Sequence, residues 1–148
     1  MRISVKGRYA LAASIVIANK INGGSNVTVA SISDELEISK IYLEQVFSQL
    51  KKEGILVSMK GPKGGYKFAR PASTITVWDM LTALEIGLTE ETESTVSETS
   101  PGIELALKEK VFDPINSSLK DVLQSISVQD LADYAERQQA EQSYMMNL

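Results

Sequence analysis

The sequence predicts a mainly α-helical protein with one small β-hairpin. Apolar residues recur at helical spacing over most of the 148 residues. One alternating stretch at 55–69 is split by a glycine-rich turn, and it directly follows two short helices joined by a tight turn. Helical spacing gathers apolar side chains on one helix face, whereas alternation gathers them on one face of a strand.

The first predicted helix covers 6–21, where Leu11, Ile15 and Ala18 fall at i, i+4 and i+7. Four further residues widen this stripe: Ala10, Ser14, Ile17 and Ile21. The Asn-Gly-Gly-Ser-Asn stretch at 22–26 is strong turn chemistry, so we expect the helix to end there.

Two capped helices are predicted next. Thr28 caps a short helix that ends at Leu36, and Ser39 caps a third helix that ends at Gly54. Three residues of the short helix turn inward: Val29, Ile32 and Leu36. Four residues form the apolar face of the third helix: Leu43, Val46, Phe47 and Leu50. Two short helices that follow a longer one predict a helix-turn-helix.

A β-hairpin follows the third helix. Residues 55–59 and 66–69 are strand candidates, and the Lys-Gly-Pro-Lys-Gly-Gly stretch at 60–65 is the turn between them. A helix-turn-helix followed by a hairpin is a winged helix, and the hairpin is its wing.

The remaining chain predicts further helices. Residues 76–86 form one, 88–101 form a mobile loop rich in Glu, Thr and Ser, and 103–126 form a long amphipathic helix. Six apolar residues make its stripe: Leu107, Val111, Ile115, Leu119, Val122 and Ile126. Pro114 predicts a kink or a break near Phe112 and Asp113.

Ser127 with Asp130 opens a last short helix over 128–139, and the tail 140–148 is predicted to be loose. We therefore divide the chain into a winged helix-turn-helix DNA-binding domain, 1–75, and a helical dimerisation or effector region, 76–148, which contains the acidic loop 88–101.

The composition excludes several kinds of chemistry. The chain has no cysteine and no histidine, so disulfides, thiolate or imidazole metal ligands and Ser-His or Cys-His catalysis have no donors. The longest apolar runs are too short to span a membrane, and no cleavage site follows the basic start. We expect a cytoplasmic protein that is not an enzyme and holds no cofactor.

The charge is divided unevenly along the chain. Residues 1–70 hold 11 Lys and Arg against 5 Asp and Glu, a net of +6, and residues 71–148 hold 4 against 14, a net of −10, which together give the total of −4. A basic half is typical of a nucleic-acid-binding unit, although an uneven solvated surface has equal weight on charge alone.

The basic glycine-rich turn at 60–65 favours the first alternative, with double-stranded DNA as the partner. Glycines allow the backbone to approach a sugar-phosphate wall, and Lys60, Lys63 and Lys67 can neutralise phosphates. The turn lacks the spacing of a phosphate-binding P-loop. By itself such a turn is more often a solvated hairpin end, but its position after a helix-turn-helix favours DNA binding.

The exposed face of the third helix carries the candidate base-reading residues: Lys40, Ile41, Glu44, Gln45 and Ser48. Glutamate can accept from cytosine N4, and glutamine can pair with adenine. Tyr42 either reaches a phosphate or base or is half-buried. Near the start of the first helix lie three basic residues, Arg2, Lys6 and Arg8. They either contact the DNA backbone or are solvated surface residues without a role in binding.

Three stretches resemble the IscR/NsrR/CymR-type family of bacterial winged-helix regulators. They are MRISVKGRYAL at 1–11, SKIYLEQVFSQLKKEGIL at 39–56 and KGPKGGYKFARP at 60–71. The resemblance implies a homodimer formed through the long C-terminal helix, and a palindromic operator with third helices in major grooves and wings in minor grooves. It places the family's base-reading positions at Ser39, Ile41, Tyr42, Glu44 and Gln45, with Lys60 and Gly61 in the wing. From the turn itself we add Lys63 and Gly64 to the candidate DNA-binding residues.

The chain departs from some members of that family. Several members hold an iron–sulfur cluster through three cysteines in the loop before the dimer helix, and 88–101 contains none. Arg8 stands where some members have an acidic cluster ligand. The chain resembles more nearly the cluster-free branch that represses cysteine metabolism, whose C-terminal end is similar to AEQSYMM at 140–146. The resemblance implies a candidate partner enzyme of cysteine synthesis, with which members of that branch act.

Two functions remain to be separated. The main hypothesis is a sequence-specific transcriptional repressor. The alternative is a winged-helix module that binds a protein and lacks DNA affinity, which would have little reason to keep Lys60 and Lys63 on a glycine turn.

Overall fold

The computed structural model describes residues 3–22, 24, 27–61, 64–88 and 91–147. Its helices are α1 Val5–Asn22, α2 Val29–Leu36, α3 Lys40–Lys52, α4 Val77–Leu84, α5 Pro101–Leu107, α6 Asp113–Gln124 and α7 Val128–Met146. A π-helical segment, Lys108–Phe112, joins α5 to α6, and the strands are β1 Leu56–Met59 and β2 Gly65–Phe68. The mainly helical winged-helix fold is confirmed.

The boundaries of α2 and α3 follow the predicted caps. Thr28 Oγ1 accepts from Ser31 N at 3.1 Å, and Ser39 Oγ accepts from Tyr42 N at 3.4 Å. Glu37 adopts left-handed backbone with φ 55° in the tight turn between the helices, and Gly54 ends α3 with φ 76°. Each side-chain cap satisfies a backbone N–H that the first helical turn leaves unpaired.

Helix α1 lies at the centre of the fold, between α7, α4, α3 and α2. Ala13 and Val16 are buried although they lie outside the predicted stripe, whereas Ile21, inside it, is exposed. Neighbours on several sides widen the buried face of α1 beyond the predicted stripe, although Arg8 and Tyr9 stay exposed, so the predicted stripe was too narrow.

The wing is an antiparallel pair in which Val57 lies opposite Lys67 and Ser58 opposite Tyr66. Tyr66 N also donates to Val27 O at 2.7 Å, so the residue before the α2 cap forms a bridge to β2. The wing is thereby fixed to the helix-turn-helix.

The long C-terminal helix starts at Pro101 rather than 103, and the kink predicted at Pro114 takes the form of the π-helical segment. Asp113 N–H donates to Lys108 O, five residues back. Pro114 has no N–H, and its ring crowds the carbonyl four residues earlier. A wider helical turn relieves this conflict.

The loop before this helix is hydrogen-bonded to it. Val96 N at 2.8 Å and Thr95 N, both in the loop, donate to the carboxylate of Glu104 in α5.

The prediction of a loose tail was wrong, because α7 continues to Met146. Its start is as predicted, with Ser127 Oγ accepting from Asp130 N at 3.0 Å. No glycine or proline interrupts 128–146, so nothing in the local sequence ends the helix. No described helix is long and apolar enough to cross a membrane.

Candidate nucleic-acid interface

Helix α3 is anchored by one face and open on the other. Four residues are fully or almost fully buried: Leu43, Val46, Phe47 and Leu50. On the opposite side Ile41 is 70% exposed, and four polar residues are also exposed: Lys40, Glu44, Gln45 and Ser48. A large apolar side chain left this exposed on a rigid helix is available for contact with a partner, such as a thymine methyl group.

Tyr42 is half-buried at the edge of this face. Its ring packs edge-on against Tyr9 of α1, with ring centroids 5.6 Å apart, and such pairs favour this geometry. Tyr9 is a neighbour that the sequence reasoning missed, because no local pattern connects two residues so far apart in the chain. The pair fixes the start of α3 against α1.

The wing lies beside α3, because the Tyr66 ring packs edge-on against Phe47 at 5.1 Å. Lys60 and Gly61 are exposed, and Gly61 has φ 96°. Gly64 N donates to Gly61 O at 2.8 Å, and a Cβ on Gly64 would lie 2.7 Å from Met59 O. The described part of the turn therefore requires glycine for its geometry and presents Lys60 to solvent.

The remaining basic candidates have different surroundings. Lys6 is half-buried, and its Nζ donates to Gln49 Oε1 at 2.7 Å. Arg8 is exposed, while Arg2 and Lys63 lie outside the described residues. Arg70, at the end of the wing, pairs with Asp79 of α4 at 2.8 Å, so it ties the wing to α4.

Five lysines of α3 and the wing are exposed: Lys40, Lys51, Lys52, Lys60 and Lys67. The ion pairs found among the described residues, Lys20–Glu35, Arg70–Asp79 and Lys108–Asp113, involve none of these five. Solvated lysines beside a polar helix face are the electrostatic pattern of a surface that binds a polyanion.

A helix-turn-helix with an adjoining basic hairpin and an exposed polar third helix defines a winged-helix DNA-binding protein. Comparison with known proteins identifies the family. Residues 3–134 match the model of the Rrf2 family, described as an iron-dependent transcriptional regulator. The chain therefore belongs to the Rrf2 family, and it is a DNA-binding transcriptional regulator rather than an enzyme.

Relatives with this function cover nearly the whole chain. The HTH-type transcriptional regulator IscR of Erwinia tasmaniensis is 34% identical over 136 residues, covering 92% of this chain and 81% of the relative. IscR of Yersinia enterocolitica is 33% identical, covering 93% and 87%.

Two solved structures share the fold. CymR (YrzC), the global cysteine regulator of B. subtilis, has a TM-score of 0.72 and 33% identity, covering 90% of this chain and 98% of that one. T. potens IscR has a TM-score of 0.73 and 30% identity, covering 94% and 91%. The resemblance stated from the sequence is confirmed.

The family description names iron, and the residues of this chain do not fit an iron–sulfur cluster. Such clusters are held by cysteine thiolates, with histidine as the usual substitute, and the sequence contains neither. Among the described residues no group of three or more potential metal-ligating side chains is placed to hold a metal ion. We therefore assign no chemistry to iron in this protein.

Proposed function

We propose that this protein is a transcriptional repressor that binds a palindromic operator as a homodimer. The observation that carries the proposal is the α3 face, which is held rigidly by its buried side and offers carboxylate, amide, hydroxyl and apolar groups to a major groove. The proposed contact residues are Ser39, Lys40, Ile41, Tyr42, Glu44, Gln45, Lys60, Gly61 and Gly64, with Lys63 and Arg2 as further basic candidates. The predicted candidate Lys6 is instead hydrogen-bonded to Gln49.

The C-terminal half supports the homodimer. The helix formed by α5, the π-helical segment and α6 carries large apolar residues that this chain leaves exposed, with Ile115 at 60% and Val122 at 56%. Ile103, Leu105 and Val111 are exposed on the same long helix. A second copy that packs there would remove this surface from water, and a two-fold axis would place two α3 helices on one palindrome.

The family relationship also supports an intracellular setting beside the chromosome, so we place the protein in the bacterial cytoplasm. The likeness to CymR, named as a global cysteine regulator, leads us to propose genes of cysteine metabolism as its targets. A partner enzyme of cysteine synthesis is the corresponding candidate for its signal, and co-purification from the native host with mass spectrometry would test it.

The proposal is tested by selecting duplexes from a random-sequence pool with the purified protein, then measuring binding in gel-shift experiments. We expect an enriched palindromic motif bound by a dimer. Lys60→Glu should weaken binding and Glu98→Lys, in the acidic loop, should not. Failure to enrich any motif, with intact folding, would leave the protein-interaction alternative as the better account.

A further inference from the structure

The side-chain amide of Gln49 joins three helices. Its Oε1 accepts from Lys6 Nζ of α1 at 2.7 Å, and its Nε2 donates to Ala83 O of α4 at 3.0 Å. An ammonium only donates and a carbonyl only accepts, so these two partners fix which way the amide points. Gln49 lies on α3 one turn after Gln45 and is half-buried.

The bond to α4 has a clear physical reason. Ala83 is the residue before the last residue of α4, where carbonyls lack partners within the helix, and Gln49 satisfies one of them. Two residues on, Glu85 Oε1 accepts from Ser4 N at 2.9 Å and from Ser4 Oγ at 2.5 Å, just before α1 begins. The end of α4 is therefore hydrogen-bonded to α3 and to the residue that precedes α1.

These bonds add to the apolar contacts of α3. The buried face of α3 holds the helix against the core and decides which side faces solvent, but the individual apolar contacts are weak and non-directional, so they leave small rotations open. Directional hydrogen bonds restrict the rotation of α3 about its own axis, and this rotation determines where Glu44 and Gln45 point.

We propose that Gln49 is a positioning residue that sets the orientation of the base-reading face, and that Lys6 acts in recognition through Gln49 rather than by contacting phosphate. This inference rests on the proposed DNA-binding function. The proposal gives Lys6 and Lys60 different roles, because Lys60 is exposed on the wing and can contact the DNA backbone directly.

The test uses the full-length protein with two duplexes, one selected from the random pool and one with the same bases scrambled. The variants are Gln49→Met, Lys6→Met and the double variant, with Gln142→Met on the exposed part of α7 as the matched control. We expect each single variant to lower the ratio of selected to scrambled affinity about tenfold, the size of one good base contact. The double variant should lose no more than either single variant, and the slope of log affinity against log salt should stay unchanged.

An unchanged affinity ratio for Gln49→Met would overturn the inference. It would also be overturned if Lys6→Met weakened both duplexes equally and reduced the salt slope by about one, because that is the signature of a phosphate contact. If Gln49→Met unfolds, Lys6→Met alone distinguishes these outcomes. Failure of the unaltered protein to prefer any duplex would instead count against the proposed function.

Discussion

Gly65 lies where the wing crosses the segment that leads into α2, and the two backbones approach closely there. A Cβ at this position would collide with the carbonyl of Val27, the residue that accepts from Tyr66 N at 2.7 Å. The sequence reasoning assigned the wing glycines to DNA contact and turn formation. For Gly65 the structure shows a different reason, which is the close contact of the wing with its own domain.

Gly65→Ala should therefore destabilise the protein by about 1–3 kcal/mol, because the added methyl group forces the wing away from Val27. Urea denaturation followed by circular dichroism measures this change. Gly102→Ala is the matched control, since Gly102 lies in α5 with nothing within 4 Å of an added Cβ, and it should change stability by less than about 1 kcal/mol. Equal effects of the two variants would contradict this explanation of Gly65.

Asp130 gives a pH-dependent contribution to stability. Hydrogen bonds from the Ser127 backbone N–H and side chain lower the pKa of this carboxyl group from its ordinary 3.8. Because the folded pKa is the lower one, the stabilisation is fully present above pH 3.8 and is lost as the pH falls through the folded value.

Asp130→Asn should therefore lose less stability than the unaltered protein between about pH 4 and pH 2, as measured by urea denaturation across that range. Ser143→Ala, which lies far from the cap on exposed α7 and removes no titrating group, is the control, and its pH curve should follow that of the unaltered protein. Parallel pH curves for Asp130→Asn and the unaltered protein would show that the cap does not shift the titration.

At the scale of elements, capping decides where helices begin. The start of α7 is joined to that of α4, because Val128 N donates to Ile75 O at 2.8 Å and Val77 N donates to Ile126 O at 2.9 Å. Both helices open with a capping box, formed by Thr76 and by Ser127. Local sequence signals of this kind predicted the starts of α2, α3 and α7, whereas the helix at 76–86 was predicted without its Thr76 cap.

Ser127→Ala removes one of these caps and should cost about 1 kcal/mol of folding stability, measured by chemical denaturation. Ser143→Ala, on the exposed end of α7, is the matched control and should stay within about 0.5 kcal/mol of the unaltered protein. A loss in both variants alike would mean that the Ser127 cap has no special role.

The ends and faces of elements were less predictable, for physical reasons. The chemistry at Pro114 predicted a disturbance but not whether it would be a kink, a break or a π-helical turn. The width of the buried face of α1 depends on helices far away in sequence, and so do the Tyr9–Tyr42 and Gln49–Ala83 contacts. Local patterns predicted which face of α3 is exposed, the face that we propose reads bases, but they contained no information about the hydrogen bonds of Gln49.

On the scale of the whole molecule, Val111, Ile115 and Val122 of the predicted stripe are exposed, while Leu119 and Ile126 are half-buried against the apolar cluster around Leu123. Replacing Val111 and Ile115 with glutamate would place charge on the proposed dimer interface, where it would be buried without a partner. We expect monomers in analytical ultracentrifugation, with unchanged helical content. Ser117→Glu, on the opposite face of α6, should remain dimeric, and a dimer that tolerates both glutamates would place the interface elsewhere.

The central claim is that the exposed face of α3 reads bases. It is tested most directly by measuring the affinity for the selected duplex and for every single base-pair substitution of it, with the unaltered protein and with Gln45→Ala. The account predicts that Gln45→Ala loses discrimination at one symmetry-related pair of positions, by about 1–3 kcal/mol, and keeps it elsewhere. A discrimination pattern identical to that of the unaltered protein, for Gln45→Ala and likewise for Glu44→Ala, would contradict it.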